Sequence, residues 1–146
     1  MKVKKIGIAG DHAGVELKQK VIQVLESKGF ELKNFGTDST DSCDYPDYAH
    51  PLAKSVADKE NDLGVLICGS GNGVNMTANK YPEVRSALSW TPEIAELGRL
   101  HNNANVVAIP ARFVSEELAI EIIEKFVSTE FEGGRHERRV NKIAIS

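Results

Sequence analysis

Cysteine is scarce in this chain: Cys43 and Cys68 are the two among 146 residues, and they form no C-x-x-C pair. Neither a disulfide framework nor a thiolate zinc site is expected, so a functional cysteine here acts alone. Long apolar runs are missing too. The hydrophobic stretches are strand-sized, short of the roughly 20 residues that span a bilayer, and the start MKVKKIGIAG lacks the apolar core of a secretory signal. A cytoplasmic protein with no membrane partner is expected. A basic excess is also lacking, the formal net charge being -3, which argues against broad adhesion to nucleic acid or anionic lipid. Finally, there is no internal repeat, low-complexity tract or linker-like break. With 41% hydrophobic residues the chain can fill one continuous core, and residues 1–146 read as a single domain.

What is present is an alternation of short apolar segments with helical patterns. KKIGIAG, FELKNFG, LGVLICG, RSALSW and NVVAIPA read as five strands, each bounded by turn residues. Leu17, Val21 and Leu25 recur at helical spacing, and Gly29 is placed to end that helix. A second helix is expected from about Tyr48 to Asp58, with Pro51 in its first turn. Thr91-Pro92-Glu93 and Ser115-Glu116-Glu117 supply N-caps and early acids for two more. The tail FEGGRHERRVNKIAIS is basic and partly apolar. The expected fold is therefore α/β: a doubly wound, Rossmann-like, five-stranded parallel sheet with helices on both faces and a C-terminal helical tail. In such sheets ligands bind outside the carboxyl ends of the strands, where the strand order reverses.

At those ends stand Asp11-His12 after the first strand, Cys68 to Gly73 after the third, Trp90 after the fourth and Arg112 after the fifth. His101-Asn102 precedes the fifth strand and so lies at the wrong end of its helix unless the chain folds back. The loop Gly69-x-Gly71-x-Gly73 fits neither G-x-G-x-x-G nor G-x-x-x-x-G-K-[ST], which weakens nucleotide readings. Its glycines let successive amides converge before a helix, a setting for an anion or a developing oxyanion.

Cys68 enters that loop. A cysteine ending a buried strand is often a small inert hydrophobe, yet amides at a helix start favour thiolate and would lower its pKa. A cysteine phosphatase would need an arginine where Val74 stands, and a receiver domain an aspartate at the end of the third strand. General base chemistry stays open. Asp11 and His12 could merely cap the first helix, and His101 could sit on helical carbonyls. Arg135, Arg138 and Arg139 could be a solvated face. Cys43, His50 and His136 carry no distinguishing signal. No His, Cys or carboxylate group shows metal-ligand spacing.

Six blocks together, GDHAG (10–14), DYPDYA (44–49), ICGSGNGV (67–74), ANK (78–80), HNNANV (101–106) and EGGRHERRV (132–140), resemble the ribose-5-phosphate isomerase B family in order and spacing. That family includes aldohexose-phosphate isomerases. The resemblance implies reversible conversion of ribose 5-phosphate to ribulose 5-phosphate through a cis-enediolate, without metal or organic cofactor. Cys68 matches the C–H base, and Ser70 a residue assisting it. Gly69, Gly71, Asn72 and Gly73 match the enediolate cradle. His101 matches the ring-opening residue, with Asp11 assisting. Asn102 and Tyr45 match sugar contacts, while His12, Arg112, Arg135 and Arg139 match the phosphate partners. A homodimer or tetramer with its site between subunits is implied, which would account for the position of His101. Asn72, Asn75 and Met76 depart from common family patterns and bear on substrate choice. A hexose 6-phosphate isomerase (allose or galactose) is the nearest alternative, and a non-catalytic sugar-phosphate sensor the alternative of another class.

Overall fold

The computed structural model describes residues 2–145; Met1 and Ser146, the ends of the expected domain and tail, lie outside the described residues. Five parallel strands form one sheet: β1 (Lys5–Gly10), β2 (Glu31–Asn34), β3 (Leu63–Cys68), β4 (Ser86–Leu88) and β5 (Val106–Pro110). Their order is β2-β1-β3-β5-β4. From β1 the chain steps outward to β2 and then returns to the other side of β1 as β3, so the order reverses between β1 and β3. The carboxyl ends flanking that reversal carry Asp11 and Cys68.

The helices are α1 (Val15–Ser27), α2 (Pro46–Ala57), α3 (Asn72–Ala78), α4 (Pro92–Asn102), α5 (Glu116–Ser128) and α6 (Arg135–Val140). The two faces of the sheet differ in the size of their side chains. Ile6, Ile8, Val65, Ile67, Val107 and Ile109 pack against Leu17, Val21 and Leu25 of α1 and Ile122, Ile123 and Phe126 of α5. On the other face Ala9, Leu66, Cys68 and Ala108 meet Ala49, Leu52 and Ala53 of α2 and Val74 and Ala78 of α3. Gly64 belongs to this second face, and a Cβ there would come within 2.7 Å of Leu52 Cδ2. Small residues therefore let α2 approach closely, while the branched face supplies most of the burial. Each large side chain sealed there stabilises the fold by about 1.5–3 kcal/mol.

Local signals read from the sequence are realised. Thr91 Oγ1 accepts the Ile94 N–H at 3.2 Å and Ser115 Oγ the Leu118 N–H at 3.1 Å, capping α4 and α5. Gly29 has φ +95 just past α1 and donates its N–H to Glu26 O. Other boundaries differ from expectation. α2 begins at Pro46, so this proline holds the first turn and Pro51 sits inside the helix. Pro51 is exposed, and the carbonyl it leaves free, that of Asp47, faces a solvated turn. β4 is three residues rather than six because it is an edge strand whose ladder to β5 spans Ser86 to Leu88. Among the described residues, no helix is long and apolar enough to cross a membrane.

Candidate functional site

β3 delivers Cys68, 5% exposed, to the carboxyl edge, and there the chain turns sharply into α3. Gly71 caps α3 at φ +77, and its N–H donates to Cys68 Sγ at 3.2 Å. Any side chain at Gly71 would be strained by that φ and would strike Leu88 Cδ1. The thiol therefore faces the convergent amides of the loop, as its residue order suggested.

The thiol pKa differs from the sequence-based expectation. Burial raises it above the ordinary thiol value and is the largest influence. N–H groups of Val74, Gly71 and Ser70 pull downward, but the Asp11 carboxylate pushes up again. Cys68 is thus a thiol at neutral pH, and its thiolate, once formed, is a strong base. Expectation failed because the short loop that supplies the amides also closes off water.

Asp11 follows β1 and is 9% exposed. Its Oδ1 accepts the Ala13 N–H at 2.9 Å, so it does cap a single tight turn, His12–Gly14, while lying close enough to act on Cys68. Gly69 and Arg112 are joined by a 3.0 Å backbone bond in which the Arg112 N–H donates. The Arg112 side chain lies over Gly69, where a Cβ would meet its Nη1 at 3.3 Å. Tyr45, the residue before α2, lays its ring on Gly73 in the same manner. Ser70 is exposed, and its Oγ accepts the Asn72 N–H at 3.3 Å. His12 Nδ1 stands 3.8 Å from Cys43 Sγ and 3.4 Å from the Cys43 amide. One edge thus gathers Asp11, His12, Tyr45, Cys68, Gly69, Ser70, Gly71, Asn72, Gly73 and Arg112.

His101, Asn102, Arg135 and Arg139 are not brought to that edge. α4 runs back along the sheet, so His101 and Asn102 end up beside the amino end of β5. The Glu132 N–H donates to Leu100 O at 3.1 Å, fastening the tail there. Five residue steps along β3, about 16 Å at the usual strand rise, separate this end of the sheet from Cys68. His101 stacks on His136 with ring centroids 4.2 Å apart and planes at 15°. Glu132 Oε2 lies 4.0 Å from His101 Nε2, and Glu132 Oε1 4.0 Å from His136 Nε2. Burial, then the neighbouring His101, lower the His136 pKa, and Arg135 and Arg139 add to this against Glu132. Arg135 and Arg139 are exposed beside this pair.

The three residues His101, Glu132 and His136 could in principle hold a metal ion, their ligand atoms lying within 4.8 Å of one another. Glu132 lies 4.0 Å from each ring nitrogen, beyond hydrogen-bonding distance, and so acts on both rings through its charge. Sequence reasoning assigned no role to Cys43 or His136. For His136 a signal existed, since it lies within EGGRHERRV; for Cys43 the contact with His12 comes from a loop whose path no pattern announces.

The family model described as Ribose/Galactose Isomerase matches residues 6–143. Ribose-5-phosphate isomerase B of Escherichia coli is 41% identical over 141 residues, covering 97% of this chain and 95% of that protein. A ribose 5-phosphate isomerase from Thermotoga maritima has a crystal structure that matches with a TM-score of 0.93 at 49% identity, covering 99% of each chain. The crystal structure of ribose-5-phosphate isomerase B from Mycoplasma genitalium, with bound ribulose-5-phosphate, matches with a TM-score of 0.92 at 43% identity. That match covers 95% of this chain and 93% of the other.

Proposed function

This chain belongs to the Ribose/Galactose Isomerase family, and we propose that it interconverts ribose 5-phosphate and ribulose 5-phosphate. The observation that carries the proposal is the placement of the Cys68 thiol against the amide of Gly71, in a loop whose N–H groups converge where an oxyanion would form. In this reading the Cys68 thiolate removes the proton from C2 of the open-chain aldose. The electron pair moves to O1, and the cis-enediolate oxygen is met by amides from Gly69 to Val74. The C1=C2 enediolate then passes its O2 hydroxyl proton to O1, and the proton held by Cys68 is returned to C1, so that O2 becomes the ketone oxygen and O1 the hydroxyl of the ketose. No electron leaves or enters overall, so the step calls for no redox cofactor, and the amides take the part a metal would otherwise play.

Ring opening must come first, and it needs a group that moves a proton between the anomeric hydroxyl and the ring oxygen. We assign this to His101, with Asp11 on the sugar hydroxyls. Because His101, Asn102, Arg135 and Arg139 stand at the other end of the sheet from Cys68, the assignment requires a second copy of the chain. Each site would then combine the Cys68 edge of one subunit with the His101 edge of its partner. Support comes from apolar side chains left exposed around the Cys68 edge: Met76 at 65%, Trp90 at 53%, Phe113 at 76% and Tyr45 at 39%. A homodimer, or a tetramer built from two, would cover them. His12, Arg112, Arg135 and Arg139 would hold the phosphate, for which arginine supplies paired donors.

The test compares kcat/KM for ribose 5-phosphate with the values for allose 6-phosphate and galactose 6-phosphate, each measured with and without EDTA. Preference for the pentose phosphate is expected. A hexose phosphate preferred by tenfold or more would assign the chain to the other branch of its family, and no turnover of any would leave a binding role. Loss of activity to EDTA would contradict the metal-independent step.

A further inference from the structure

Two arginines at the amino end of the sheet have no part in the proposed reaction. Arg99, in the last turn of α4, is 3% exposed; Arg85, just before β4, is half-buried. Arg99 donates from Nε to Thr129 O at 2.8 Å and from Nη1 to Ala104 O at 2.6 Å and Asn103 Oδ1 at 3.2 Å. Arg85 donates from Nε to Asn103 O at 2.8 Å. These acceptors are neutral, and among the described residues neither guanidinium forms a salt bridge. Burial lowers the pKa of both, and the charge of Arg85 lowers that of Arg99 further, ahead of the opposing pull of Glu130.

Arg99 Nη2 and both Nη atoms of Arg85 therefore remain without protein acceptors. They are not sealed in, since the buried unpartnered side-chain atoms among the described residues are Asn75 Oδ1 and Ser86 Oγ. Both arginines line a cavity of about 490 Å3 together with Lys59, Asn61, Asn103 and Asn105, and Arg85 also borders a neighbouring cavity of about 660 Å3. Asp62 and Glu83 also border the cavity that the two arginines share. Asp62 Oδ2 is already occupied by the N–H groups of Lys4 and Lys5, and Glu83 is exposed at the rim.

We propose that this cavity is a second anion site, which takes inorganic phosphate or the phosphate group of a small monoester at the sheet edge opposite Cys68. Two partly desolvated guanidiniums that repel one another are compensated when an oxyanion bridges them. Arg85 offers both Nη groups and Arg99 its Nη2 to a tetrahedral oxyanion, and Lys59 adds an ammonium around the same space, while Asn61 Nδ2 already donates one hydrogen to Ser55 Oγ. The site shares no residue with the phosphate partners assigned to the reaction.

The experiment measures binding of radiolabelled inorganic phosphate by ultrafiltration, with glycerol 3-phosphate as a monoester competitor, to wild type, Arg85→Gln and Arg139→Ala. Wild type is expected to show two classes of site. Arg85→Gln should remove one class and leave kcat/KM for ribose 5-phosphate within twofold, whereas Arg139→Ala should remove the other. Arg85→Lys, which keeps the charge and loses the fork, should weaken its class about tenfold. Competition by glycerol 3-phosphate at the Arg85-dependent class assigns it to monoesters as well; failure to compete there assigns it to the inorganic ion. The proposal is overturned if wild type shows one class, or if Arg85→Gln retains both. Loss of the Arg85 class with no effect of Arg139→Ala would overturn the assignment of the substrate phosphate and leave this one standing.

Discussion

The rings of His101 and His136 stack 4.2 Å apart at the amino end of the sheet, while Cys68 ends β3 at the carboxyl end. If both His101 and Cys68 serve one reaction, each site must draw on two subunits, and mixing tests this directly. Cys68→Ala and His101→Ala should each lose nearly all turnover alone. Unfolded and refolded together in equal amounts, they should recover about a quarter of wild-type activity. Half the dimers are then mixed, and in each of those one of the two sites carries both substitutions while the other carries neither. No recovery on mixing would place the two residues in the same chain's site or remove one from catalysis.

A second expectation concerns the ionisation of Cys68. Its pKa is raised chiefly by burial and then by Asp11, so the thiolate fraction, and with it alkylation by iodoacetamide, should climb with pH only above the ordinary thiol range. In a Cys43→Ser background the midpoint should fall when Asp11 becomes Asn. Stability carries the same sign. The folded state holds this proton more tightly than the unfolded chain, so the contribution is complete below the unfolded thiol pKa and is lost as pH rises through the folded one. Cys68→Ala should therefore flatten the alkaline fall in urea midpoint. An alkylation midpoint below the ordinary thiol value would contradict the account.

The strands and caps were legible because they depend on neighbours in sequence: the Leu17-Val21-Leu25 stripe, Gly29 past α1, and the Thr91 and Ser115 caps are all local devices. The Cys68 loop was legible for the same reason, since glycine spacing and the following helix dictate where the amides point. Its ionisation was not. Burial at Cys68 is set by α2, α3 and Ala108 from distant parts of the chain, and a one-dimensional pattern records the amides without the lost water. His101 illustrates another limit. Topology alone places it at the far end of the sheet, and what would bring it to Cys68 is a second molecule, which no periodicity in one chain encodes.

Tyr45 and Gly73 provide a coupling that can be measured. A Cβ at Gly73 would intrude on the Tyr45 ring, coming within 2.7 Å of its Oη, so Gly73→Ala must displace the ring or shift α3. Overpacking of this kind costs about 1–3 kcal/mol. If Tyr45 lines the sugar pocket, KM should rise as well. In the Tyr45→Ala background the three atoms nearest to that Cβ are gone, and the stability cost of Gly73→Ala should largely vanish. A double-mutant cycle by urea denaturation reads the coupling, and two independent, additive effects would mean that the ring and the glycine do not restrain each other.

Lys18 and Asp38 govern how the loop after β2 reaches the site. Lys18 is fully buried, and its ammonium donates to Asn34 Oδ1 at 2.9 Å and to Asp38 Oδ1, which also accepts from Gln19 and Asn34. Hydrogen bonding from Lys18 is the main reason the Asp38 pKa lies below the usual carboxylate value. Just before Asp38, the Thr37 N–H donates to Gly10 O at 2.8 Å, and beyond it the loop continues to Cys43 against His12. Asp38→Ala leaves a buried ammonium with one uncharged acceptor. Since the Asp38 side chain is 63% exposed, water replaces part of the loss, and a cost of about 2 kcal/mol is expected, below that of a fully buried pair. Lys18→Met keeps the volume and removes the charge, so it should cost less than Asp38→Ala. That ordering of urea midpoints distinguishes a stranded cation from simple loss of hydrogen bonds, which would instead make Lys18→Met, lacking the bonds to both Asn34 and Asp38, the more damaging change. Because the same anchor fixes the approach to His12, Asp38→Ala should also raise KM for the sugar phosphate more than it lowers kcat.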